Sequence, residues 1–130
     1  MLAGAWVLAL AAPAAAQAAT ATAPATAAVN ASATVLTCAG REVRTLPFAT
    51  GTVHVYRQHN GYVCALTVPD HPGVRQTMMV SVQARGNRPV VDKGRYAYLA
   101  GPVTVHAGHR CVWVKGQVGR RSVSSGWILC

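Results

Sequence analysis

The sequence predicts an all-β fold: a small antiparallel β-sandwich or barrel of seven to eight strands, stapled by two disulfides. Three observations carry this. Apolar and polar residues alternate with period two over a series of short stretches, and clusters of Gly, Pro and Asn divide them at fairly even spacing. No window of about a dozen residues shows helical periodicity. Four cysteines, Cys38, Cys64, Cys111 and Cys130, all lie beyond a charge-free leader.

The first element is a targeting signal. Ala5 to Ala12 is an apolar core of signal-peptide length, too short to span a membrane as a helix. Pro13 breaks it, and Ala14-Ala15-Ala16 fits the small-x-small cleavage rule with Gln17 as the first mature residue. A cut after Ala18 fits nearly as well. Met1 to Leu10 lacks the usual Lys or Arg, so the leader is expected to begin upstream of Met1. Residues 1–16 are therefore read as a signal peptide. Residues 17–36, rich in Ala, Thr and Pro, are read as a flexible tail that buries too little varied apolar surface to fold alone. Its β-branched end, Ala33 to Thr37, is a candidate for adding a strand to a partner or to the domain's own sheet.

Residues 37–130 form the domain. Thr52 to Arg57 alternates, Gln58-His59-Asn60-Gly61 supplies turn chemistry, and Tyr62 to Val68 returns, which is a hairpin pattern. Pro69 to Gly73 is a second turn. Thr77 to Gln83 reads as a strand with Met78, Val80 and Val82 on one face. Gly86 to Pro89 breaks the chain again. Arg95 to Leu99 and Val103 to His106 read as short strands divided by Ala100-Gly101-Pro102, and Ala107-Gly108-His109 turns once more. Cys111 to Lys115 and Ser122 to Leu129 complete the set.

Export places the cysteines in an oxidising compartment, where an even count in a short chain is a disulfide framework. With Arg120 and Arg121 as the turn of the last hairpin, Cys111 falls opposite Cys130, which leaves Cys38 to pair with Cys64. Cys38–Cys130 stays open as a rival pairing. The same register sets Trp113 opposite Ile128. It sets Trp127 opposite Val114, on the apolar face with Val112, Val114, Val123 and Leu129.

The charge is lopsided: twelve Lys and Arg against three acids, Glu42, Asp70 and Asp92, for a formal net charge of +9, all of it beyond residue 36. The cations are scattered rather than run together, apart from the adjacent Arg120-Arg121, so the pattern predicts attraction to polyanions generally and no specific nucleic-acid site. The expected partners are a cell-wall or spore-surface polyanion or a secreted protein. Arg120, Arg121, Lys115 and Trp113 are the candidate partner-binding residues, Trp113 because it shares its face with Lys115.

Catalysis finds little support. The three acids lie in different segments, and a Ser–His–Asp set assembled from Ser124 or Ser125, His106 or His109, and Asp92 has neither a Gly-x-Ser-x-Gly elbow nor a Gly-rich anion cradle around it. The histidines (His54, His59, His71, His106 and His109) form no zinc pattern with the cysteines, and His106-x-x-His109 straddles a Gly108 turn. Tyr96, Tyr98, Trp113 and Trp127 are candidates for an aromatic contact face. The expectation is a non-enzymatic protein with no catalytic residues, no metal and no cofactor.

One resemblance adds to this. The run Tyr96-Ala97-Tyr98-Leu99-Ala100-Gly101-Pro102-Val103-Thr104-Val105, then Cys111-Val112-Trp113 and the ending Gly126-Trp127-Ile128-Leu129-Cys130, resembles the spore-associated protein A family of secreted actinobacterial proteins. Thr50 to Val55 and Tyr62 to Val68 resemble it too, so the likeness covers nearly all of 38–130. The Arg-rich turn Gly119-Arg120-Arg121-Ser122 is more basic than the family pattern. The resemblance implies a secreted protein found with spores or the hyphal surface, and no catalytic role. Two other functions fit the sequence: an adaptor subunit of a secreted assembly, docking by its N-terminal tail, and a small secreted hydrolase or protease inhibitor.

Overall fold

A computed structural model describes residues 37–130. The expected signal peptide, the tail and all but Thr37 of the strand at the tail's end lie outside the described residues. Within them the chain is all β, with eight strands: β1 (Arg41–Phe48), β2 (Gly51–Arg57), β3 (Tyr62–Pro69), β4 (Gln76–Ala84), β5 (Val90–Tyr96), β6 (Ala100–His106), β7 (Val112–Val118) and β8 (Arg121–Ile128). They form two antiparallel four-stranded sheets, β1-β2-β3-β6 and β5-β4-β7-β8. The sheets face each other across one core.

Alternation builds that core. Val53, Val55, Val63 and Ala65 point in from the first sheet, and Met78, Val80, Val82, Val112, Val114 and Val118 from the second, all at most 1% exposed. The β-branched side chains suit a pleated surface and lose little rotamer freedom there. Two hydroxyls tie the sheets together across this layer. Thr67 Oγ1, fully buried on β3, donates to the Met79 carbonyl on β4 at 2.9 Å. Thr50 Oγ1 donates to the Val118 carbonyl on β7 at 2.8 Å. The sheets approach so closely here that a Cβ on Gly116 would collide with the Val53 side chain and the Thr67 hydroxyl.

The first hairpin follows its sequence pattern. Tyr56 pairs with Cys64, and the turn closes with the Gln58 amide donating to the Tyr62 carbonyl at 2.9 Å. Gly61, at φ +86°, takes the left-handed conformation that Asn-Gly turn chemistry provides for. Disulfides join Cys38 to Cys64 and Cys111 to Cys130, with Cα separations of 5.7 and 4.0 Å. Two cross-links of this kind belong to an oxidising environment.

Four local expectations are corrected. β1 had no counterpart in the sequence reading. Its Arg41, Glu42 and Arg44 mask the alternation, and charges with a proline (Pro47) are what an edge strand carries. The strand expected over Arg95–Leu99 instead ends at Tyr96 and begins at Val90. Asp92 stops it: the carboxylate shares the inner side with its neighbour Val80, accepts the Tyr96 hydroxyl at 2.5 Å and the Gly101 amide at 2.8 Å, and bends the chain toward β6. Ala100-Gly101-Pro102, expected as a break, opens β6.

The last hairpin has a different register. Its turn is Gly119-Arg120, with Gly119 at φ +65° and Arg121 already paired to Val118. An extra residue then enters β8 at Ser125-Gly126, where Gly126 has φ +71° and Ser125 Oγ accepts the Val114 amide at 2.9 Å. This bulge shifts every pair beyond it. Trp113 therefore faces Trp127 directly, and Val112 faces Ile128. The cysteine pairing survives the shift because Leu129, at φ +58°, turns the chain end back toward Cys111.

Candidate functional site

Because Met78, Val80 and Val82 enter the core, the intervening residues of β4 must face outward. Met79, Ser81 and Gln83 thus form the middle of the exposed side of the second sheet. Strand pairing sets their neighbours. Ser81 lies between Val91 on β5 and Lys115 on β7, and Met79 lies between Lys93 and Gln117. Gln83 lies beside Trp113, which pairs with Trp127 on β8. Of these, Met79, Ser81, Gln83, Val91, Lys93, Trp113 and Lys115 bound, with Pro89, a shallow groove of about 310 Å³.

One end of the groove is aromatic. The Trp113 and Trp127 rings meet edge to face, with centroids 5.3 Å apart and planes at 87°. The Trp113 indole N–H donates to Ser124 Oγ at 2.6 Å, which fixes the ring. The Arg85 guanidinium lies 5.4 Å from the Trp127 ring centre, within cation–π range. Trp127 is thus an outer-face residue, 38% exposed, and not the core residue expected. The bulge at Gly126 moves it there.

No acid balances the cations of this groove. Asp92 is turned to the inner side of β5 by its bonds to Tyr96 and Gly101. Glu42 belongs to the other sheet, where it meets His54 Nδ1 at 2.6 Å and accepts the Thr45 hydroxyl at 3.0 Å; the His54 bond, then the Thr45 bond, hold its pKa below the ordinary carboxylate value. Asp70 lies just past β3, where its amide donates to Thr50. Lys93 and Lys115 thus face solvent across an uncharged floor.

Compared with family models, with curated proteins and with solved structures, the chain matches none in any of the three. The site must be argued from its own geometry.

Of the four candidate contact residues, the structure brings two together. Trp113 and Lys115 both line the groove. Arg120, in the turn, and Arg121, paired with the inward-facing Val118, sit past its far end and do not line it. The four-membered aromatic face does not form: Tyr96 is engaged by Asp92, and Tyr98, 68% exposed, stands in the connection after β5. The aromatic pair that does form is Trp113–Trp127.

The residues weighed for catalysis are engaged separately. Ser124 accepts Trp113, Ser125 Oγ donates to the Gly126 carbonyl at 2.6 Å, and His106 Nε2 contacts the Asn60 carbonyl at 3.2 Å while its ring edges Tyr62. Among the described residues no three His, Cys, Asp or Glu side chains gather in a metal-holding group.

Lys93, Val91, Met79, Ser81 and Arg85 were not foreseen as site residues. The alternation of Thr77–Gln83 already placed Met79 and Ser81 outward, but their importance depends on β5 and β7 flanking β4, a pairing across distant segments.

Proposed function

We propose that this is a secreted, non-enzymatic protein of the spore or cell surface, which attaches to an anionic polymer or partner through the outer face of its second sheet. The observation that carries the reading is the groove itself: Lys93 and Lys115 flank an aromatic-ended floor that none of the three acids lines. Apolar floor and cationic rim together hold an anionic ligand better than dispersed surface charge does, because burial of part of the ligand lowers the local dielectric. The two disulfides are consistent with export, and the charge-free leader of residues 1–36 supports it. The resemblance to the spore-associated protein A family favours the spore or hyphal surface as the place of action.

The test is retention on purified cell walls or spores. Binding should weaken steeply between low and high salt, and Lys93→Glu/Lys115→Glu should reduce it by about tenfold or more at low salt, since both charges are reversed at the contact. Binding that ignores both salt and this substitution rejects the reading.

A further inference from the structure

The groove contains a group that charge attraction does not use. Ser81 is only 5% exposed, yet it lines the groove, and its hydroxyl makes no hydrogen bond among the described residues. The hydroxyl is not sealed off but opens onto the groove, where it can exchange water for a ligand group. It stands midway across the sheet, with Val91 on one side and Lys115 on the other.

The rest of the lining sorts into two chemistries. Met79, Val91 and the Trp113 ring give apolar contact, and Lys93 and Lys115 give charge. The two lysines are separated by two strand spacings and two residues along the strands, so their Cα atoms stand about 12 Å apart. Charges so spaced, with an apolar floor and a hydroxyl between them, do not suit a chain carrying a negative group on every unit. They suit a polymer of alternating charged and neutral units, each with a flat C–H face and several hydroxyls.

We propose that this groove binds an acidic polysaccharide in which uronate and neutral sugars alternate. Successive carboxylates pair with Lys93 and Lys115. The neutral sugar lies between them, its C–H face over Met79 and a ring hydroxyl bonded to Ser81, and the chain runs on past Lys115 to the Trp113 ring. The assignment rests on the surface-binding reading above and names its ligand class.

Calorimetric titration of the oxidised full-length chain at low salt tests it, with a hyaluronan hexasaccharide, chitohexaose, hexaglutamate and hexathymidylate as probes. Saturable binding is expected for the hyaluronan oligosaccharide, and weaker or no binding for the other three. Lys93→Gln/Lys115→Gln should weaken it on the order of tenfold, and Ser81→Ala by about threefold, with melting temperatures unchanged. Both lysines are exposed, so that double variant decides the matter even if Ser81→Ala folds poorly. No saturable hyaluronan binding, equal or tighter binding of hexaglutamate or hexathymidylate, or indifference to the lysine substitutions overturns the proposal. A protein that needs Lys93 and Lys115 to hold cell walls but ignores hyaluronan overturns this assignment alone.

Discussion

Asp92 and Tyr96 show how one side chain can set both a strand end and a pH response. The carboxylate accepts the phenol O–H, and that bond holds the Tyr96 pKa above its ordinary value of 10.0. A raised pKa means the folded state favours the protonated phenol. Its contribution to stability is therefore complete below pH 10 and is lost as the pH rises through the higher folded value. Tyr96→Phe keeps the ring and removes the titration. The stability difference between the two proteins, measured by urea unfolding, should shrink as pH climbs past 10, and a difference that stays constant there would remove the bond from the account.

At the level of the strand pair, Gly116 is the position where β7 and β2 leave no room for a side chain. Gly116→Ala should destabilise the fold by about 1–3 kcal/mol through overpacking, seen as a lower denaturation midpoint at unchanged slope. Val53→Ala in the same chain should recover part of that loss, because the atom displaced is a Val53 methyl. Additive losses in the double variant would place the cost elsewhere.

The strands themselves were unequally legible. β2, β3 and β4 could be read directly: β2 alternates cleanly, β4 alternates in its apolar residues and β3 is a short apolar run, each set off by Gly or Pro nearby. β1 and β5 are edge strands with solvent on part of their surface, and the charges they carry there break the pattern. The register of β7–β8 failed at two points, a turn one residue earlier than expected and a bulge, and the bulge alone decided which way Trp127 faces. Gly126 inside a strand was the available sign of a bulge, and treating the strand as regular moved Trp127 to the wrong face. Two of the eight groove residues were named from sequence for the same reason: Trp113 and Lys115 share one strand and need only alternation. Lys93 joins them through the order β5-β4-β7, which local pattern does not encode.

Over the whole molecule, the disulfides offset what a domain of this size lacks. The described portion has one core built mostly from valine, with a single fully buried methionine and no fully buried aromatic ring. The bridges close segments with sequence separations of 26 and 19. In the chain-entropy model each is worth about 3 kcal/mol, a large share of the ~5–10 kcal/mol typical of small domains. Replacing Cys38 and Cys64 together by Ser should lower unfolding free energy by about that amount, and full reduction should unfold the protein at moderate temperature. A reduced chain that keeps its β-sheet circular dichroism and its melting temperature would show that the core suffices.

The inward turn of Asp92 has an effect beyond its own hydrogen bonds. Held on the outer side, that carboxylate would stand beside Lys93 and cancel it at close range. Folded under the sheet, it leaves Lys93 with no acid beside it on the outer side. A polyanion approaching that face therefore meets no repelling carboxylate, and the attraction of its lysines reaches into solvent at full strength.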